Sequence, residues 1–257
     1  MATRNKSSDA NKAVVITGAS RGIGAATARL LGAQGYRVAV NYHASPEAAA
    51  KVVAAIEQAG GKAVAIQADV AREAEVVRLF EEVEATLGPI GALVNNAGIT
   101  GPSGRLEDLT AETLEAVMGL NVMGAFYCAR EAVRRMSTRR GGKGGAIVNV
   151  SSGAATLGSP GEFIHYAASK GAIDTMTLGL AKEVAREGIR VNAVAPGLIQ
   201  TEIHAAAGDP DRVKRIVATV PMGRVGSAQE VAKTILFLLS GHASYVTGAI
   251  LRVAGGR

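Results

Sequence analysis

The sequence contains no tryptophan, and aromatic residues make up 4% of it. Any core it builds must be aliphatic, assembled from Ala, Val, Leu and Ile, in keeping with a hydrophobic content of 48%. There is one cysteine, Cys128, so no intrachain disulfide can form. That suits a reducing compartment and makes the cytoplasm the expected location. Cys128 falls in Gly124-Ala125-Phe126-Tyr127-Cys128-Ala129, where a small buried residue is the expectation rather than a nucleophile. The four histidines are scattered and no metal-ligand spacing occurs, so no metal site is expected. No apolar run reaches the ~18 residues of a membrane span, and Met1-Ala2-Thr3-Arg4-Asn5-Lys6-Ser7-Ser8-Asp9 lacks the apolar centre of a signal peptide. Residues 1–11 read as a flexible polar tail and residues 12–257 as a single domain.

Charged residues are few, 19%, and tilted to the basic side: 28 Lys and Arg against 22 Asp and Glu, a formal net charge of +6. Such a balance raises nucleic-acid binding as an alternative. The cations are spread along the chain, however, apart from Arg134, Arg135, Arg139, Arg140 and Lys143. That group lies at an expected helix end, where cations complement the helix dipole, and reads as a solvated helix end and loop. Neither a nucleic-acid nor a membrane partner is expected.

What the chain has in abundance is glycine, 32 residues, much of it at junctions between short apolar runs and longer amphipathic segments. Strands are predicted at 13–17, 37–42, 62–67, 92–95, 146–150, 189–194 and 249–253. Helices are predicted at 22–34, 46–59, 72–87, 111–136, from about His165 through Lys182, and 228–239. Ser45 is the expected N-cap of the second helix, ahead of Pro46. Alternating strands and helices imply parallel strands with right-handed crossovers, and the short apolar runs suit strands covered on both faces. The fold class is therefore α/β: one doubly wound Rossmann domain with a parallel sheet of roughly seven strands flanked by helices.

Two patterns carry chemistry. The first strand runs into Thr17-Gly18-Ala19-Ser20-Arg21-Gly22-Ile23-Gly24 and then a helix. Glycines allow a tight turn and close approach of a phosphate, and the helix start offers free N–H groups to it. This is the arrangement of a dinucleotide site. Further along, Tyr166 and Lys170 share a helix face at i and i+4. An ammonium beside a phenol favours the phenolate, and a tyrosine so placed can exchange a proton near neutral pH, as alcohol–carbonyl interconversion requires.

With these motifs in order, the chain resembles the short-chain dehydrogenase/reductase family over about residues 12–257. The matching positions are Thr17-Gly18-x-x-x-Gly22-x-Gly24, Asn95-Asn96-Ala97-Gly98, the set Asn121, Ser152, Tyr166 and Lys170, then Pro196-Gly197 and Tyr245-Val246-Thr247-Gly248. Within the family it looks closest to 3-oxoacyl-carrier-protein reductases and sugar dehydrogenases such as glucose 1-dehydrogenase. The resemblance implies an oxidoreductase acting on a ketone and its secondary alcohol. Tyr166 would be the acid/base and Lys170 would stabilise the phenolate and hold the nicotinamide ribose. Ser152 would orient the substrate oxygen, and Asn121 would position a water linking Lys170 to solvent. The family's serine stands about thirteen residues before its tyrosine, where this chain has Gly153. Ser152 therefore needs one extra loop residue, and Ser151 is its competitor. The loop from Gly153 to His165, with Gly158, Pro160, Gly161, Glu162 and Phe163, is expected to reshape the substrate pocket.

The same resemblance gives a cofactor wall: Gly18, Ser20, Arg21, Gly22, Ile23 and Gly24 at the glycine turn; Asn41, Tyr42 and His43 at the adenosine ribose; Asp69 and Val70 at the adenine; Ile199 and Thr201 at the nicotinamide; and Asn95, Ala97, Gly98, Pro196 and Gly197 as further cofactor-binding positions. Asp69 has a second reading as a helix N-cap ahead of Glu73. An acid at the end of the second strand would favour NAD. None occurs before Glu47, and Arg21 can pair with a 2′-phosphate, so NADP is expected, with NAD possible. Residues 197–224 would form a lid in which no cation dominates. Ala254 stands where relatives often carry Asp, which bears on subunit packing in an expected homotetramer or homodimer. A nucleotide-binding regulator or scaffold without turnover is the alternative.

Overall fold

The computed structural model describes residues 12–201 and 212–257. The tail expected over residues 1–11 and the middle of the expected lid, including His204 and Gly208-Asp209-Pro210, lie outside the described residues. Seven parallel strands form one sheet: β1 (Ala13–Ile16), β2 (Arg37–Tyr42), β3 (Lys62–Gln67), β4 (Ile90–Asn95), β5 (Gly145–Val150), β6 (Ile189–Pro196) and a late strand, β9 (Ile250–Val253), in the order β3-β2-β1-β4-β5-β6-β9. The chain winds outward from β1 through β2 to β3, then returns to begin the other half at β4. The crevice between the ends of β1 and β4 is thus the topological switch point, where doubly wound sheets bind ligands.

Side-chain alternation along each strand divides the core in two. Val14, Ile16, Val38, Val40, Val94 and Val148 face α1 (Gly22–Ala33), α2 (Pro46–Gln58) and a later helix, α9 (Ala228–Leu239), with Leu31, Ile56 and Ile235 filling that layer. Val15, Ala39, Leu93, Ile147 and Val191 face the opposite way, onto α3 (Glu73–Leu87), α5 (Ala125–Met136) and α7 (Ile164–Val184), where Leu79, Phe80 and Met136 are fully buried. Cys128 lies in this second layer with no access to solvent, and burial pushes its thiol pKa well up, so it is packing material.

Several local expectations are corrected. The single helix expected over 111–136 is α4 (Ala111–Met118), a π-helical turn at Gly119–Gly124, and α5. A widened turn of this type breaks the regular i→i+4 ladder and is frequent at functional sites. Ser45 holds the N-cap position of α2 but makes no side-chain capping bond; Pro46 at the helix start lacks an N–H in any case. Asp69 does not cap α3: Arg72 is the N-cap, and Asp69 Oδ1 instead accepts from Ala71 N at 3.0 Å in a tight turn. A short helix, α6 (Ala154–Leu157), a two-strand ladder of β7 (Ile199–Gln200) with β8 (Gly226–Ser227), and α8 (Arg212–Val217) have too little periodicity to be read from sequence.

The basic group at the end of α5 is not simply solvated. Glu131 is buried, and both Arg134 (2.7 Å) and Arg135 pair with it; their charges hold its carboxyl below the usual range despite the burial. Arg135 also reaches Glu84 on α3 at 2.9 Å, and Arg139 pairs with Glu187 at 3.2 Å. Much of the group's charge is therefore spent on joining α3, α5 and the turn after α7.

Candidate active site

A cleft of about 1280 Å³ opens along the C-terminal ends of the strands. Its floor at the switch point is the turn after β1. Gly18 has φ +60°, and a Cβ there would stand 2.9 Å from Ala97 Cα, so the turn can lie against the β4 end only as glycine. Asn96 closes the junction: its amide donates to Thr17 O at 2.8 Å and Gly18 O at 3.0 Å, while Thr17 Oγ1 accepts from the N–H groups of Asn96 and Ala97. Helix α1 then begins with no side-chain cap at Arg21 and no acid in its first turn. Its first N–H groups have no intrahelical acceptor, and the dipole makes that end positive. The end of β2 carries no acid either. Asn41 is buried there, accepting from Gly18 N at 3.2 Å and donating to Ile66 O and Ala68 O, so it braces the glycine turn against β3. Arg21 is exposed on the cleft wall with no ion-pair partner among the described residues. The turn therefore fits a dinucleotide: a cradle of backbone N–H groups, no carboxylate at the end of β2 or in the first turn of α1, and a guanidinium outside any ion pair among the described residues.

Across the switch point, α7 presents Tyr166 to the cleft, with Lys170 one turn deeper. Lys170 Nζ donates to Val150 O at the end of β5 (2.8 Å) and lies 5.7 Å from the centre of the Tyr166 ring. Burial pushes the Lys170 pKa down to about 8, with Asp174 one further turn along opposing the shift. Asp174 is itself pushed up by burial, against the nearby Ser151 hydroxyl and the charges of Lys170 and Arg252.

Both serines after β5 line the cleft, but their hydroxyls are engaged differently. Ser151 is buried, donates to Lys170 O at 3.4 Å, and is committed to the underside of α7. Ser152 is half-buried on the cleft wall and caps the turn into α6 by accepting from Ala154 N at 3.1 Å, which leaves its hydroxyl proton free. Gly153 N donates to Pro196 O at 2.8 Å and fixes this turn to the end of β6. Asn121, in the π-helical turn, is buried behind the wall. Its Oδ1 accepts from Ile99 N (2.9 Å), and its amide donates to Ile99 O (2.9 Å) and to Ser169 Oγ (3.0 Å); Ser169 Oγ in turn donates to Tyr166 O at 2.7 Å. A Cβ on Gly98 would lie 3.1 Å from Asn121 Oδ1 and 3.5 Å from Lys170 Nζ, so this glycine keeps the ground between the two clear.

Comparison with known proteins now adds to the geometry. A family model described as enoyl-(acyl carrier protein) reductase matches residues 18–257. An uncharacterized oxidoreductase of Escherichia coli K12, YgfF, is 56% identical over 243 residues, covering 95% of this chain and 98% of its own. The chain belongs to the short-chain dehydrogenase/reductase family. Among other members, 3β-hydroxysteroid dehydrogenase 1 of Eggerthella lenta is 42% identical (95% of this chain, 93% of that one), and the 3-oxoacyl-[acyl-carrier-protein] reductase FabG of Staphylococcus epidermidis is 39% identical (96% and 98%). Two solved structures align closely. A blue fluorescent protein from a metagenomic library in complex with NADPH has a TM-score of 0.88 at 37% identity, and a short chain dehydrogenase from Burkholderia cenocepacia in complex with NADP has 0.90 at 35%; each alignment covers 96% of this chain and 98% of the other.

Measured against the short-chain dehydrogenase/reductase expectations, most of the named residues come together. Gly18, Ser20, Arg21, Gly22, Ile23, Asn41, Tyr42, His43, Asp69, Val70, Ala97, Gly98, Ser152, Tyr166, Lys170, Pro196, Gly197, Ile199 and Thr201 all line the one cleft. Gly24, Asn95 and Asn121 do not. Gly24 is buried inside α1, and the Asn95 amide is turned to Asn149 Oδ1 (3.0 Å) and Ala125 O (3.1 Å). Sequence reasoning missed Asn96 as the residue joining the two turns, although it lies inside the motif that was read. It also missed Thr100, Pro102, Leu120, Ile216 and Arg257 on the wall. Their signal is three-dimensional: they come from the loop after β4, the π-helical turn, α8 and the residues after β9.

Proposed function

We propose that this protein is an NADP(H)-dependent oxidoreductase that interconverts a ketone and a secondary alcohol, with Tyr166 as the acid/base. The observation that carries this reading is the placement of Tyr166 and Lys170 on the same cleft as the uncapped glycine turn. When bound, the nicotinamide supplies or accepts the hydride. The work of the chain is placement and proton handling. Ser152 donates a hydrogen bond to the substrate oxygen and orients it. In reduction, Tyr166 Oη gives its proton to that oxygen; in oxidation it takes it back. Lys170, held by Val150 O, keeps a cation near the phenolate that forms and has further donors for the ribose hydroxyls. Asn121 holds the catalytic turn of α7 through Ser169. Its Oδ1 retains acceptor capacity for a relay water on the Lys170 side.

NADP preference over NAD rests on Arg21 and on the absence of an acid at the end of β2. It is supported by the NADP(H) complexes of the two aligned structures. The substrate side of the cleft is walled by Leu157, Pro160, Phe163, Leu198 and Ile216, which favours a 3-oxoacyl or other largely apolar ketone over a sugar. Residues 12–257 act as one domain, with the segment around 197–224 as a lid. The compartment is the cytoplasm; no helix among the described residues is long and apolar enough to cross a membrane. The protein assembles as a homotetramer or homodimer through exposed apolar groups on α4 and α5 (Leu114, Met118, Phe126) and on α9 and β9 (Phe237, Leu251).

The test is a panel of ketones and secondary alcohols with NADPH and NADP⁺, followed at the nicotinamide absorbance band. The panel includes 3-oxoacyl thioesters, cyclic and steroidal ketones, and glucose. Turnover of one ketone class supports the reading. Tight NADPH binding with no turnover on any member favours the non-catalytic regulator instead.

A further inference from the structure

Three cationic residues line the cleft: Arg21, Lys170 and Arg257, the last of which also lines a smaller neighbouring pocket with Arg224 and Glu230. Arg21 stands at the glycine turn and Lys170 beside the tyrosine. Arg257 has no part in either arrangement. It follows β9, which the strand order puts at the far edge of the sheet from β2 and β3, so it lies at the opposite end of the cleft from Asn41, Tyr42 and His43.

The turn that carries Arg257 is firmly built. Arg252 reaches from β9 to the Arg257 main-chain O at 3.3 Å and to Thr156 Oγ1 of α6 at 2.6 Å, the residue before Leu157 of the cleft wall. Met222 N donates to Gly255 O at 3.0 Å. Ala254 is in tight apposition to Gly197, where a Cβ would stand 2.8 Å from its Cα. Both carboxylates on the cleft wall are already engaged, Glu162 with Arg215 at 3.2 Å and Asp69 with Arg72 at 3.5 Å. The Arg257 guanidinium has neither an ion pair nor a hydrogen bond among the described residues. The substrate end thus combines apolar walls with one uncompensated guanidinium, a planar fork of donors shaped for two oxygens of an anion.

We propose that Arg257 is a specificity-determining residue that binds an anionic group, a carboxylate or a phosphate, carried by the substrate at a distance from its carbonyl. The inference rests on the oxidoreductase reading above and narrows its substrate class to ketones bearing such an anion. The carboxylate can belong to an oxo acid itself, and the phosphate to the arm of a thioester carrier.

The test compares neutral and anionic partners that are otherwise identical. One arm uses 3-, 4- and 5-oxo carboxylates against their methyl esters; the other uses 3-oxobutyryl-pantetheine against its 4′-phosphate. Wild-type protein should favour the anionic member in one arm, and that arm names the source. Arg257→Gln should lower the anion-to-neutral ratio of kcat/KM by about tenfold or more, the loss of one charge-assisted hydrogen-bonded contact, and Arg257→Lys should recover part of it. An unchanged ratio in Arg257→Gln overturns the proposal. So does an equal rise in KM for NADPH, which would place Arg257 on the cofactor. Calorimetry of 3-hydroxybutyrate and its methyl ester, and of 3-hydroxybutyryl-pantetheine with and without its phosphate, on NADPH-saturated protein reads recognition without turnover. An Arg257-dependent preference there with no turnover on any ketone rejects the oxidoreductase reading alone. Turnover with no preference in either arm rejects the Arg257 assignment alone.

Discussion

Asn121 and Ser169 are 48 residues apart in sequence and joined by a buried hydrogen bond of 3.0 Å. Through it the π-helical turn between α4 and α5 grips the same turn of α7 that carries Tyr166 and Lys170. Because Asn121 also bonds both the N–H and the C=O of Ile99, it sets the spacing between the loop after β4 and the turn that carries Tyr166. Asn121→Ala should lower kcat by about tenfold or more, since small displacements of a reacting group are costly, while the Kd for NADPH changes little. Ser169→Ala, which removes one link only, should fall between. Steady-state kinetics with fluorescence titration of NADPH checks both; full kcat in Asn121→Ala would show that the grip is dispensable.

Replacing Tyr166 by Phe removes the phenol hydroxyl but keeps the ring. Turnover should drop by at least about a hundredfold, the scale of general acid–base catalysis, and NADPH binding should stay within a few-fold of wild type. Substantial remaining kcat would assign the proton to another group.

The buried ammonium of Lys170 is a cost to the fold. Its pKa in the folded protein, about 8, lies below the ordinary value of 10.5. Between those values the unfolded chain binds the more protons, so stability should rise with pH across about 8 to 10.5, by up to about 1.4 kcal/mol per pH unit from this one group. Below pH 8 the full penalty applies. Lys170→Met should therefore abolish turnover yet show a flatter dependence of unfolding free energy on pH in that window. Urea unfolding of cofactor-free protein at several pH values measures it, and identical slopes for the two proteins would contradict it.

Asp174 raises the Lys170 pKa by its charge and opposes the larger effect of burial. Asp174→Asn removes that support, so Lys170 should lose its proton at lower pH. If turnover needs the ammonium, the alkaline limb of the kcat profile should move to lower pH, with the acid limb in place. A profile superimposable on wild type would show that this carboxyl has no electrical role.

Arg21 is the spare cation at the glycine turn. Arg21→Gln should raise KM for NADPH by roughly 10- to 100-fold, the scale of one charge-assisted contact, and leave NADH use nearly unaltered. Equal effects on both cofactors would remove Arg21 from 2′-phosphate recognition.

Much of this molecule was determined by the sequence alone. Apolar runs at 13–16, 37–42 and 145–150 alternate with amphipathic stretches, and that periodicity is local physics that neighbours in sequence impose. The glycine turn and the Tyr166–Lys170 spacing are local in the same way: a tight turn needs glycine, and a helix brings i and i+4 together whatever surrounds it. What only the tertiary structure decided depends on contacts between distant segments. Ser151 and Ser152 both line the cleft, but Ser151 is buried with its hydroxyl donating to Lys170 O, whereas Ser152 only accepts from Ala154 N and keeps its hydroxyl proton free. The sequence motif points to Asn95, but its amide is spent on Asn149 of the next strand, and Asn149 on Thr177 of α7, while Asn96 ties the two turns. The depressed Lys170 pKa comes from enclosure that no spacing encodes. Arg257 reaches the cleft because β9 pairs beside β6, a neighbour separated from it by the whole of α9. Backbone preference acts over a few residues, whereas burial and side-chain pairing belong to the assembled sheet.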